Sequence, residues 1–426
     1  MELEITQNGM NGEGVAKING KVYFVHGAVM GDRVTAKVIK ENKNFCIAEI
    51  NEILKFSCFR SVPKCKYFGI CGGCNLQHIE YKKQLQIKTQ NVQNLFDKNK
   101  LNFKINNCIE SKNIFNYRNK LTLYLSKNNK LSFYQKNTKT LIEIDNCCLV
   151  DEIFNNLIHK INLFLSNNKE YNCFVLKGMA IRKIENNFII NLILNKKIIL
   201  TKFEQFLKLN KINYSLYYCV NNRSNLPTYP CNFVGGAKEV YIEEFGIKYL
   251  LKPMSFLQVN NDIKYQIYKQ IISIVKQFNN VLDAYSGAGL LSAVMAKNCK
   301  NVFAVELDES AHEACLDLCK VNKIKNLQAI CGDCANEIPK LLNDNSMECI
   351  VLDPARKGCD EKVLSAILSA LPKQIVYLSC NPATLTRDLK VLCESGHYEL
   401  LYVQPYDMFP QTSEVETLVV LKQTNK

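Results

Sequence analysis

From residue 281 to 394 the chain alternates short β-branched runs with amphipathic stretches of helical period. Strand periods fall at 281–285, 301–306, 327–331, 348–352 and 374–379, and helix periods at 289–297, 309–321, 334–342, 361–371 and 382–394. Strict β/α alternation admits few architectures, because parallel neighbours need a helical crossover. A doubly wound, Rossmann-like α/β sheet is therefore expected for residues 256–426. Two further strand periods, 398–404 and 415–422, have no helix between them, so the final strand should return antiparallel.

Ligands of such a sheet lie beyond the carboxyl ends of its strands. The first strand runs into Asp283-Ala284-Tyr285-Ser286-Gly287-Ala288-Gly289, whose glycines let a ligand approach the backbone. Glu306 ends the second strand, where a carboxylate meets the ribose of an adenosine cofactor. Ser292 stands where a dinucleotide fingerprint has its third glycine, which disfavours a pyrophosphate and favours S-adenosylmethionine. Asp333 follows the third strand, Asp353 ends the fourth in VLDPARKG, and Cys380 ends the fifth in LSCNP. Asp283, Glu306, Asp353 and Cys380 should thus share one edge.

Cys380 precedes a helix-start signal, Asn381 at the cap and Pro382 at the first turn, so the helix dipole is expected to favour its thiolate. An antiparallel final strand would bring Glu414 and Glu416 of FPQTSEVET to the same edge. Spaced by two, they share a strand face, and the pattern does not choose between them. Carbon-5 of a pyrimidine attacks a methyl sulfonium only after a nucleophile adds to carbon-6, and the carbon-5 proton must then be removed. A thiol beside a carboxylate supplies both functions.

The remaining chain bounds the partner. With 54 Lys+Arg against 40 Asp+Glu the net charge is +14, the sign that suits a phosphate backbone. Twenty cysteines would suit a secreted disulfide protein, but MELEITQNGM has no apolar signal core, and no apolar run is long enough to span a membrane. A cytoplasmic chain without membrane attachment, acting as a monomer, is expected. Residues 1–56 show short alternating runs between glycines, a five-strand OB-type barrel. The stretch GMNGEGVAKINGKVYFVHGAVMGDRVTAKV resembles the TRAM domain, a small RNA-binding barrel. Residues 57–255 mix a helix over IEYKKQLQIKTQNVQNLF with hairpins at KLTLYLS/KLSFYQ and AIRKI/FIINLIL, a central α+β domain. Here Cys65, Cys71 and Cys74 form C-x5-C-x2-C among glycines, a spacing open to zinc or an iron–sulfur cluster, with Cys58 and Cys108 as further thiols. Arg118 and Lys120, beside Tyr117, are candidates for RNA contact.

Taken together, the TRAM-like start, CGGC, FLQVN, DAYSGAGLLS, LDPARKGCD, LSCNPATLTRDL and FPQTSEVET resemble the RNA uracil-5-methyltransferase family over nearly the whole chain. That resemblance implies Cys380 as nucleophile, Glu416 as base, and Gln258, Tyr285, Glu306 and Asp353 as S-adenosylmethionine contacts. It also implies a [4Fe–4S] cluster on Cys65, Cys71, Cys74 and Cys147, with Cys148 at a site where the family has proline. Ala355 replaces a second family proline. Family members acting on tRNA typically lack both barrel and cluster, so the resemblance implies 23S rRNA as substrate. The alternatives are a tRNA enzyme, or a non-catalytic iron–sulfur protein that binds RNA or senses redox state.

Overall fold

The computed structural model describes every residue except Asn137, Asn222, Asn345, Ser346, Asn425 and Lys426, and of Asp344 the backbone alone. Six hydrogen-bonded segments build the N-terminal barrel: β1 (Glu2–Glu4), β2 (Gln7–Asn8), β3 (Gly14–Ile18), β4 (Lys21–His26), β5 (Arg33–Glu41) and β6 (Phe45–Lys55), in the order β1-β5-β6-β4-β3-β2. The expected five strands become six because the first is interrupted at Ile5 and Thr6. Its halves β1 and β2 pair with β5 and β3 at opposite edges, so one bent strand closes the barrel. Alternation places Leu3, Ala16, Val25, Val34, Ala36 and Ala48 inside. The fully buried Asp32 accepts from Ser57 N (2.9 Å) and Arg60 Nη2 (2.7 Å), which fixes the barrel to the chain that follows.

The middle of the chain comprises α1 (Tyr81–Lys98), β7 (Lys120–Leu125), β8 (Leu131–Tyr134), β9 (Leu141–Glu143), α2 (Glu152–Asn167), β10 (Leu176–Ile184), β11 (Asn187–Leu194), α3 (Thr201–Leu209), β12 (Tyr214–Val220) and β13 (Asn232–Gly236). Its seven strands lie in the order β13-β12-β11-β10-β7-β8-β9. One face is covered by α2 and α3, whose Phe154, Ile158, Ile161, Phe203 and Leu207 share a core with Leu123, Ile181 and Leu192. A separate hairpin, β14 (Tyr241–Glu244) with β15 (Ile247–Leu250), follows.

The C-terminal part holds α4 (Asn261–Val275), β16 (Asn280–Ala284), α5 (Leu290–Ala296), β17 (Asn301–Glu306), α6 (Glu309–Val321), β18 (Leu327–Cys331), α7 (Cys334–Asp344), β19 (Cys349–Leu352), α8 (Glu361–Ala370), β20 (Gln374–Ser379), α9 (Pro382–Glu394), β21 (Tyr398–Tyr406) and β22 (Glu416–Gln423). The sheet order is β18-β17-β16-β19-β20-β22-β21, parallel through β20, with β22 antiparallel between β20 and β21 as expected. Both faces are covered by helices, so β19 and β20 are buried at every residue and read as unbroken apolar runs. Asn260, Asp308, Asp360 and Asn381 each accept a first-turn amide of α4, α6, α8 and α9, which sets where those helices begin. Each such cap is worth about 1 kcal/mol.

Packing departs from sequence order at α1. Although it lies within residues 57–255, its Val92 and Phe96, with Leu101 and Ile105, join Leu385, Leu389 and Val403 in the core of the C-terminal sheet. Lys88 of α1 is ion-paired with Asp407, and both side chains are fully buried. Removing one partner of such a pair costs about 3–5 kcal/mol. Helix α1 is thereby locked to the segment between β21 and β22. Among the described residues no helix is long and apolar enough to cross a membrane.

Candidate active site

The register of β20 against β22 ends at Ser379 opposite Thr417. Continued by one residue, it sets Cys380 opposite Glu416, where facing Cα atoms lie about 4.5–5.5 Å apart. Glu416 is 3% exposed, and burial with the nearby Asp353 and Glu414 carboxylates pushes its pKa up to about 8, against the Arg356 guanidinium. The Cys380 thiol is pushed up to about 11 by burial, then by Glu416, while Arg356 acts to lower it. This reverses the expectation from the helix N-terminus: loss of solvent and facing carboxylates outweigh the dipole of α9. Asp353 sits at the end of β19 and burial raises it to about 7.

Glu414 lies elsewhere. It precedes β22, is exposed, and pairs with Arg356 at 3.1 Å, so the shared strand face expected of Glu414 and Glu416 does not form. Of the two, the one adjoining Cys380 is Glu416.

The turn between β16 and α5 is built for close approach. Gly289 (φ +79°) caps α5, and a Cβ there would meet Cys315 Sγ at 2.2 Å. At Gly287 (φ +55°) a Cβ would meet nothing within 4 Å, so this side of the turn is an open cradle. Tyr285 also has a positive φ, +65°, strained for a side chain of its size. Glu306 accepts from Gly287 N and Asp308 N, both at 2.8 Å, which places its carboxylate beside the cradle. Ser292 is buried and donates to Asp283, whose pKa burial raises to about 7. Gln258 precedes α4. Its carbonyl accepts from Asn119 Nδ2 (3.2 Å), and the adjacent Leu257 packs on Leu290 and Val294 of α5. Asp333 caps α7 by accepting from Ala335 N at 2.9 Å. Tyr268, half-buried in α4 near Asp353 and Asp283, lies in an apolar helical period that carries no sign of this position. Arg356, beside Cys380 and Glu416, carries no pattern of its own as one arginine in DPARKG.

A second group of thiols lies in the middle of the chain. Cys65, Cys71, Cys74, Cys147 and Cys148 line one cavity of about 590 Å³, together with Arg118 and Lys136 and with no acidic residue. Cys58 and Cys108 lie outside it, the former exposed and the latter buried in the core behind α1. Gln77 clamps the group, accepting from Cys65 N (3.1 Å) and donating to Cys148 Sγ (3.6 Å). The Cys148 thiol donates to Cys65 and holds it below the usual thiol range. Burial pushes Cys74 up to about 12 and Cys147 to about 11. Among the described residues no three His, Cys, Asp or Glu side chains are arranged to hold one metal ion.

The candidates for RNA contact separate. Tyr117 is buried, with its hydroxyl donating to Pro410 O at 3.1 Å, so it offers no face to a base. Lys120 is half-buried, and burial with Arg182 and Arg118 lowers it to about 8. Arg118 faces the thiol cavity.

Comparison with known proteins gives consistent matches. The tRNA (uracil-5-)-methyltransferase family profile matches residues 80–424, and the TRAM domain profile residues 1–50. An uncharacterized RNA methyltransferase of Clostridium acetobutylicum is 35% identical, over 100% of this chain and 97% of its own. One from Caldanaerobacter subterraneus is 32% identical over 99% and 97%. The crystal structure of Pyrococcus abyssi tRNA (uracil-54, C5)-methyltransferase in complex with S-adenosyl-L-homocysteine is similar with a TM-score of 0.79 at 22% identity, covering 99% of this chain and 100% of that one. At that identity the likeness shows a shared fold.

Proposed function

Because the chain belongs to the tRNA (uracil-5-)-methyltransferase family of S-adenosylmethionine-dependent RNA-modifying enzymes, we propose that it methylates carbon-5 of a uridine in 23S rRNA through a covalent Cys380 adduct, with Glu416 as base. The observation that carries this reading is the β20/β22 register, which sets a thiol opposite a buried carboxylate. S-adenosylmethionine supplies the methyl group. Gly287 and Gly289 leave room for it, Glu306 is oriented for the ribose hydroxyls, and Gln258, Tyr285 and Asp353 border the same edge.

Cys380 Sγ gives its proton to solvent and bonds to carbon-6 of the uracil, pushing the carbon-5/carbon-6 π pair towards the carbon-4 oxygen. Carbon-5 then takes the methyl group, the sulfonium carbon–sulfur bond breaking with its electrons left on sulfur. Glu416 removes the carbon-5 proton, the double bond re-forms, and the sulfur–carbon-6 bond breaks to return Cys380 as thiolate. Arg356, which favours the anionic form of both Cys380 and Glu416, eases the two steps that need them charged.

We infer a [4Fe–4S] cluster on Cys65, Cys71, Cys74 and Cys147. An all-thiol donor set around one cavity fits it in the chemistry of its donors. Methyl transfer moves no net electron, so a cluster held there would serve to fix the loop that carries these cysteines.

The rRNA assignment rests on the TRAM barrel together with this thiol set. A tRNA target is the second reading, favoured by the description of the matching family as tRNA (uracil-5-)-methyltransferases. The third reading, a protein without catalysis, is removed by family membership. RNA carrying 5-fluorouridine tests the mechanism, because fluorine cannot leave as a proton: a covalent complex is expected with the wild type and none with Cys380→Ala. A wild type that forms no complex would sink the adduct. Mass mapping of rRNA and tRNA from cells lacking the gene decides the target.

A further inference from the structure

The segment between β21 and β22, which delivers Glu416, makes few of its own bonds and is held from outside. Asp407 at its start is gripped by Lys88 and by Tyr81 (2.8 Å), and Phe409 O accepts from Lys88 Nζ (3.1 Å). Gln411 is held at φ +71° by Gln84, which donates to Gln411 Oε1 (3.0 Å) and accepts from Gln411 N (3.2 Å). A glutamine in the left-handed region persists only when its surroundings impose it. Beyond Gln411 the segment is held by Asn75, and after it by the exposed Arg356–Glu414 pair.

Asn75 makes a two-sided bond to Ser413, three residues before Glu416. Its Oδ1 accepts from Ser413 N and its Nδ2 donates to Ser413 Oγ, both at 2.8 Å. Gln411 O accepts from Asn75 N (3.1 Å) and Leu76 N (3.0 Å). The same Nδ2 donates to Asn11 O of the barrel at 2.9 Å. Asn75 is also the residue after Cys74, so its side chain joins the barrel to the segment before Glu416 and its backbone leads to the thiol cavity.

We propose that Asn75 is a positioning residue for proton removal at carbon-5: it fixes Ser413, and through Ser413 the placement of Glu416. The proposal rests on the reading of Glu416 as base. It assigns Asn75 to one step, since Cys380 follows β20, away from the segment that Asn75 holds, whereas Glu416, the first residue of β22, comes directly after that segment.

The test separates the two halves of the reaction in the full-length protein. With 5-fluorouridine RNA, Asn75→Ala should form the covalent complex at the wild-type rate. With unmodified RNA it should resolve the methylated complex about 10- to 100-fold more slowly, the range expected when a reacting group is displaced by about 1 Å. A methyl-labelled protein–RNA band then accumulates on denaturing gels, as in Glu416→Gln. Asn75→Asp, which keeps acceptors for both Ser413 bonds and loses the barrel contact, should restore resolution. Ser413→Ala, which keeps the backbone bond, should give a smaller accumulation and carries the test if Asn75→Ala does not fold. No accumulation in Asn75→Ala and Ser413→Ala beside clear accumulation in Glu416→Gln overturns the positioning role alone. Parallel loss of complex formation and resolution also overturns it. No accumulation in Glu416→Gln itself brings down the base assignment, and the proposal with it.

Discussion

At the carboxyl edge of the C-terminal sheet one thiol, Cys380, is faced by Glu416, Asp353 and Arg356, whereas in the middle of the chain five thiols face one another with two cations and no carboxylate. Burial raises Cys380, Cys74 and Cys147 alike, so burial does not distinguish the proposed nucleophile from the proposed ligands. Company does. A thiol beside a buried carboxylate has a proton acceptor at hand, and a group of thiols has only soft donors to offer. The difference also marks how each site is held: Cys380 by the register of two central strands, the cavity by loops whose bonds run through Gln77.

The largest effect expected of this contrast is at Cys380. Cys380→Ala should lower methylation by about 10⁴-fold or more while leaving iron and sulfide per protein unchanged. Loss of iron in that variant would show that the two thiol sites are not separate. Next is pH. With Cys380 held up to about 11, its alkylation by iodoacetamide should rise about tenfold per unit from pH 7 to 9, without a plateau. Glu416 is charged only above about 8, so Glu416→Gln should match the wild type below that pH and react faster above it, where the carboxylate no longer opposes the thiolate. A plateau below pH 9 would mean that the dipole of α9 prevails after all. A smaller change is expected from Cys74→Ser: loss of iron and sulfide, with turnover lowered by about tenfold through the loop that begins at Asn75. Complete loss of methyl transfer with RNA binding retained would give the cavity a chemical role.

The same contrast explains what the sequence disclosed. The β/α alternation of residues 281–394 was legible because the central strands β19 and β20 are buried on both faces and α6, α8 and α9 carry side-chain caps, so local pattern and tertiary position agree. The antiparallel return of β22 followed from the missing helix, and with it the approach of Glu416 to Cys380. The protonation of Cys380 did not, because desolvation and facing carboxylates are tertiary, while only the helix N-terminus is written locally. In the middle of the chain Tyr117, Asn75 and Gln84 read as polar or aromatic loop and helix residues. Their partners Pro410, Ser413 and Gln411 lie about three hundred residues away, beyond the reach of any periodicity.

The smallest predicted effect is on stability, and its sign is opposite to that of most core substitutions. Glu416 titrates at about 8 in the folded chain against a usual 4.5, and Asp353 and Asp283 at about 7 against 3.8. Between the usual and the raised values the folded state binds more protons than the unfolded one. Stability therefore falls as pH rises through that window, from about 4 to about 8. Glu416→Gln removes one of these carboxylates without removing its volume. It should melt about 2–4 °C higher than the wild type near pH 8, and the difference should close as pH falls towards 4.5. Thermal denaturation at the two pH values reads this directly. Equal melting of the two proteins at pH 8 would mean that Glu416 is charged and well solvated at no cost. It would then resemble the exposed Glu414 more than a buried base, and the contrast between Cys380 and the cavity thiols would lose its carboxylate.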